Sequence, residues 1–185
     1  MKSRQVGESI TARFNGITGS VELYANNGVL WNNWVERLGI RRSEIKSIRV
    51  AEGIVFLPKD ASGFNLEKWY YTMFGGLTNA ELIDLSNFDT SKVTDMRCMF
   101  CECKALKELD LSSFNTSSVT DMSGMFYRCG GLTDLDLSGF DTSNVTEMDY
   151  IFDGCGNLRK IIMNPIIGER TNTHSMFKNC PAKIV

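Results

Sequence analysis

A single histidine in 185 residues leaves little room for a centre built on imidazole, whether catalytic or metal-binding. A basic excess is lacking too. The chain holds 20 Lys+Arg against 22 Asp+Glu, a net charge of −2, where a general nucleic-acid binder shows a surplus of cations. No apolar run approaches the roughly 18 residues of a membrane-spanning helix. The opening residues, MKSRQVG, carry charge but no apolar core of an export signal. Six cysteines are too sparse for a disulfide scaffold. There is no glycine-rich phosphate loop and no nucleophile elbow. A composition 43% hydrophobic and 23% charged fits one folded domain with a real core.

What the chain has is repetition. LIDLSNFDTSKVTDMRCMFCEC begins at Leu82, ELDLSSFNTSSVTDMSGMFYRC at Glu108 and DLDLSGFDTSNVTEMDYIFDGC at Asp134. Leu85, Leu111 and Leu137 are 26 apart, as are Phe100, Phe126 and Phe152, and Cys103, Cys129 and Cys155. A worn copy precedes them (Ile48, Val50, then Met73, Phe74, Leu77) with an insertion, and another follows (Ile161, Met163, Met176, Phe177, Cys180). Such a period marks a solenoid of about five turns.

Each unit has a physical reading. In LDLS the two Leu face one way and Asp and Ser the other, the period of a strand. FDTS is a turn whose Asp and Thr can bond nearby backbone. Val93, Met96, Met99, Phe100 and Cys103 fall at helical spacing, which predicts a helix after each turn, capped at Ser91. A unit with one apolar face buries it only by stacking on its copies. Eight of nine Met and eight of eleven Phe sit at repeat positions, leaving little apolar supply for a catalytic pocket.

The LDLSSFNTSSVTDMSGMFYRC sentence and its two neighbours resemble the BspA-like leucine-rich-repeat family of bacterial surface proteins. The resemblance is closest over residues 81–158. It implies an α/β leucine-rich-repeat-like solenoid with a parallel sheet on its concave side. It also implies export, adhesion and binding of host proteins. The chain as given shows no export signal and no wall anchor, so a cytoplasmic location is the expectation, unless it is a fragment of a surface protein.

Residues 1–44 read as an N-terminal cap and 45–185 as the solenoid, with degenerate end repeats at 45–80 and 159–185. TARFN and SVELYA around GITG predict a hairpin, and WNNWVERLG a short helix stopped at Gly39. Trp31 and Trp34, three apart, would share one face of it and cover the first turn of the solenoid. Trp69, Tyr70 and Tyr71, in the insertion, with Tyr127 and Tyr150, form a candidate recognition patch, aromatic residues being favoured at binding hot spots.

On the outward face of successive strands, Asp84, Asp110 and Asp136 would form a column of carboxylates about 4.8 Å apart, deepened by Glu108 and Asp134. Arg49 and Lys160 would close it at either end. Residues 61–185 hold 16 acids and 11 bases, so the charge is polarised along the axis. Two readings stay open: these Asp accept hydrogen bonds from Ser hydroxyls and loop amides as part of the repeat word, or they dock a basic protein surface.

Other signals are weak. Cys98, Cys101 and Cys103 make C-x-x-C-x-C, but no second ligand pair accompanies them, and Cys98 and Cys101 are expected at exposed helix positions. His174 reads as a surface residue. Asn115 and Asn144, in glycosylation-like triplets, read as turn residues. No cofactor, metal or catalysis is expected. The expected function is capture of a protein partner of basic surface, with no direct nucleic acid and no membrane. Alternatives are an intracellular inhibitor from a mobile element, such as an anti-CRISPR or other counter-defence protein blocking a basic nuclease surface, and a fragment of a surface adhesin. Oligomeric state stays open.

Overall fold

The computed structural model of the protein describes residues 2–31, 33–59, 61, 72–164 and 171–185. It opens with β1 (Lys2–Gly7), β2 (Ile10–Asn15), β3 (Ser20–Ala25) and β4 (Gly28–Val29), then helix α1 (Trp34–Leu38). Ile10, Ala12 and Phe14 of β2 point inward while Thr11 and Arg13 face out, the alternation that makes a half-buried strand. The expected hairpin is β2–β3, antiparallel, closed by the Gly19 N–H donating to the Asn15 carbonyl at 2.8 Å. β1, which the sequence reading did not anticipate, adds antiparallel to β2.

The sheet runs without a break past residue 44. β3 pairs in parallel with β5 (Ser47–Glu52), setting Val21 beside Ile48, and β5 pairs with β7 (Leu82–Ile83), setting Ile48 beside Ile83. Cap strand β3 is therefore hydrogen-bonded to the first rung. A second, parallel sheet joins β4, β6 (Val55–Phe56) and β8 (Phe88–Asp89). A third joins β9 (Asp134–Leu137), β10 (Lys160–Met163) and β11 (Lys183–Ile184), with Leu135 beside Ile161. Together they make a leucine-rich-repeat-like solenoid of about five turns.

α1 ends at Gly39, whose φ of +69° lets its N–H return to the Glu36 carbonyl. Trp34 is wholly buried and its indole N–H donates to the Met73 carbonyl at 2.8 Å, tying the cap to the worn first repeat. The two tryptophans do not share a helix face. Trp31 precedes α1, is only partly buried, and lies 4.3 Å beneath the Arg37 guanidinium.

The predicted repeat helices do not form among the described residues. Each VTDMxxMFxxC segment is a chain of tight turns. Backbone N–H groups alternate: Met99, Cys101 and Cys103 bond three residues back within their rung, while Met96, Cys98, Phe100 and Glu102 bond the carbonyls of Asp121, Ser123, Met125 and Tyr127 in the next. Cys98 (φ +53°) and Glu102 (φ +61°) adopt the left-handed region that interrupts a helix. Residues three and four apart still face the core, so the apolar spacing survives. The carbonyls a helix would have consumed are spent on the neighbouring rung.

Stacking is literal. Phe74, Phe100, Phe126, Phe152 and Phe177 form a column with centroid spacings of 5.4, 5.9, 5.8 and 5.5 Å. Phe114 and Phe140 stack at 6.4 Å. Leu85, Leu111 and Leu137 are all buried. The spine thiols of Cys103, Cys129 and Cys155 donate to the carbonyls of Phe74, Phe100 and Phe126 at 3.2, 3.0 and 3.0 Å. Thr90 and Thr116, almost wholly buried, do double duty in the FDTS turn. The Thr116 hydroxyl donates to the Asp141 carbonyl and accepts from the Asp141 N–H, replacing a peptide group in the ladder.

Candidate functional site

The sheet-face carboxylates sit where the repeat period puts them, and their own rung satisfies them. Asp84 Oδ1 accepts from the Ser86 N–H and hydroxyl, Asp110 Oδ1 from the Ser112 N–H at 2.9 Å, and Asp136 Oδ1 from the Ser138 N–H at 2.9 Å. The same D-x-S turn recurs at Asp89 and Asp141, and with Asn115 as acceptor of the Ser117 N–H. The Ser112 N–H and hydroxyl hold the Asp110 carboxyl below its ordinary value, and the Ser138 hydroxyl and N–H do so for Asp136. These bonds leave the outer carboxylate oxygens facing water.

The column is interrupted. Residues 108–112 form no strand, so β7 and β9 belong to separate sheets. Glu108, Asp110, Asp134 and Asp136 come together around one open depression of about 420 Å³, shared with Lys160. Asp84 lies outside it, half-buried, and its charge reaches Arg49. Arg49 is no free positive end: it pairs with Glu22 of β3, which also accepts from the Tyr24 hydroxyl at 2.9 Å. Trp69, Tyr70 and Tyr71 lie outside the described residues.

A second depression, of about 590 Å³, lies on the turn ladder. Tyr127, Tyr150, Asp121, Glu147, Asp149 and Asp153 are on its surface, with Arg97 and Lys178. Here polar groups bond across rungs. Arg97 donates to Asp95 at 2.7 Å and lies 3.4 Å from Asp121. The Asn172 amide donates to Glu147 at 3.1 Å and to Asp149 at 2.9 Å. Burial pushes the Asp121 carboxyl above its usual range. The sequence reading named the two tyrosines but missed these acids. Asp121 and Glu147 belong to the repeat word itself, at the position of Asp95; for the rest the signal lay where the near-identical copies differ, Asp153 standing where Cys101 and Tyr127 stand, and Gly124 where Cys98 and Tyr150 stand.

The cysteine reading changes. Cys98 and Cys101 are buried rather than exposed. Cys98 holds its proton tightly, because its thiol bonds to Cys101 and is desolvated. Burial pushes the Cys155 thiol up to about 12. Among the described residues no three of His, Cys, Asp and Glu are grouped to hold a metal ion, and no helix is long and apolar enough to cross a membrane.

A family model described as "Mycoplasma protein of unknown function, DUF285" matches residues 68–184. The chain belongs to the DUF285 family. Both depressions and all three well-kept repeats of this DUF285 chain lie inside the matched segment. The crystal structure of the T. pallidum leucine-rich repeat protein (TpLRR) resembles it at 16% identity and a TM-score of 0.32, over 83% of this chain and 78% of that one. No curated protein matches the chain.

Proposed function

We propose that this DUF285 protein is a non-catalytic binding module that captures a partner protein of basic surface through the carboxylates of its sheet face. One observation carries the reading. Glu108, Asp110, Asp134 and Asp136 are exposed around a single depression with one cation, Lys160, among its lining residues. The inner oxygens of Asp110 and Asp136 are fixed by their own turns, so their outer ones are presented in a set geometry at little further entropic cost. Charge of one sign arrayed on a rigid scaffold favours encounter with, and orientation of, an opposite surface.

The test is capture from the native host on wild type and on the double reversal Asp110→Lys/Asp136→Lys, with Glu8→Lys as a charge control away from the depression. Partners are identified by mass spectrometry and their affinities measured. A partner that docks here binds the double reversal at least about tenfold more weakly, binds the control as it binds wild type, and loosens as salt rises. Equal affinity for wild type and double reversal overturns the reading. Thermal melts of all three variants separate lost binding from lost folding.

A further inference from the structure

The turn-ladder groove carries an inference of its own, independent of the sheet face. The side-chain column at one repeat position runs Cys98, Gly124, Tyr150, Ser175. The second member has no side chain. Gly124 adopts φ +62°, and a Cβ there would come within 3.2 Å of Cys98 Sγ. The missing side chain leaves a gap in the wall of the depression, bordered by Cys98, Tyr127 and Tyr150. Rungs pair in parallel here, through bridges from Asp95 to Asp121 and from Asp121 to Glu147, so the gap is about 4.8 Å across, the width of one extended side chain.

The floor of this groove holds a buried acid with bonding capacity to spare. Asp153 is only 7% exposed. Its Oδ1 accepts a long hydrogen bond, 3.3 Å, from the Asn179 amide. Its Oδ2 has no hydrogen-bond partner among the described residues. Oδ2 is not sealed off, so a donor entering the depression can reach it. None of the cations nearby pairs with it: Arg128 pairs with Glu102 at 3.1 Å and lies 4.8 Å over the Tyr127 ring, Arg97 is held by Asp95 and Asp121, and Lys178, which lines the same depression from the next rung, makes no ion pair with it among the described residues. Asp149 and Glu147 add negative charge along the same wall, their near oxygens bridged by the neutral Asn172 amide. Tyr150, 39% exposed, offers an aromatic surface beside the gap.

We infer that this groove is a binding site for an arginine side chain of a partner protein, whose guanidinium bonds Asp153 and packs on Tyr150. A slot one side chain wide, a flat aromatic wall and a carboxylate with a free oxygen suit a planar cation with forked donors better than a compact, strongly hydrated ammonium. The Tyr127–Arg128 contact is the same pairing made within the chain.

The test uses the full chain, labelled with nitrogen-15, titrated with Ac-Gly-Arg-Gly-NH2 and with its lysine and citrulline counterparts. The arginine peptide shifts the amides of Gly124, Tyr150 and Asp153 saturably, and citrulline, equal in shape but uncharged, binds at least about tenfold more weakly. Asp153→Asn and Tyr150→Leu each weaken the arginine peptide severalfold, while Asp136→Asn on the sheet face leaves it unchanged. Tyr150→Leu is a surface change, so it reports even where the buried Asp153→Asn fails to fold. The inference is overturned by no shift in the groove at tens of millimolar peptide, by citrulline or lysine binding as well as arginine, or by Asp136→Asn weakening the peptide as much as Tyr150→Leu. Because the probe presents a single arginine and the sheet face enters only as control, this result does not depend on the larger partner.

Discussion

The sheet face and the turn-ladder groove are built from the same repeat word and differ in how far their acids reach. On the sheet face each Asp is bonded two residues along its own chain, to Ser86, Ser112 or Ser138, and is solvated outward. In the groove the acids also reach other rungs: Asp121, held locally by the Ser123 N–H, lies against Arg97, Glu147 and Asp149 share Asn172, and Asp153 accepts from Asn179. A local bond repeats wherever the word repeats, so the sheet face is periodic. The groove's cross-rung acid bonds involve variable residues such as Arg97, Asp149 and Asp153, so this set of contacts is seen at one place among the described residues. The repeat thus makes a general surface and its departures make a particular one.

The largest expected effect removes what the two faces share. Phe126 is fully buried in the aromatic column under both, so Phe126→Ala costs about 3–5 kcal/mol and lowers the midpoint of a denaturant or thermal unfolding curve accordingly. Shifts confined to one face of the molecule in an amide spectrum of the folded variant would break the picture of a common floor.

A smaller pair of substitutions separates local from cross-rung bonding. Arg97→Gln releases Asp95 and the partly buried Asp121, and costs about 1 kcal/mol. Ser112→Ala keeps the backbone N–H that Asp110 accepts and changes stability by no more than about 0.5 kcal/mol. Equal losses in urea unfolding would erase the distinction drawn here.

The smallest effect is in acid. Asp110 and Asp136 lie below their ordinary value of 3.8 in the folded protein. Their contribution is present above that value and is lost as pH falls through the lowered folded one. Asp121 lies above 3.8, because burial disfavours its charged form. Its sign is reversed: the folded protein takes up that proton first, and stability is gained as pH falls through the raised value toward 3.8. Carbon-13 carboxyl titration therefore finds Asp121 above the two sheet-face acids. Asp121→Asn is more favourable to stability at pH 7 than at pH 3, and the opposite ordering would refute the assignment.

Much of the fold was legible because stacking places like residues on like. The 26-residue step of Phe100, Phe126 and Phe152 is the aromatic column itself, and the hairpin and Gly39 helix stop were readable from alternation and local backbone preference. The repeat helices misled because Val93, Met96, Met99 and Phe100 present one inward face equally as a helix or as a run of turns. The burial of Cys98 and Cys101 was hidden for the same reason, since it follows from which conformer is adopted.

The sequence alone determined the period, the spines and the acids on the sheet, since each depends on residues at a fixed step along one chain. Only the tertiary structure decided whether a carbonyl bonds within its rung or to the next, and with it where a gap opens at Gly124 and an acid is buried at Asp153. Those outcomes rest on contacts between rungs whose partners lie some 26 residues away and differ from copy to copy.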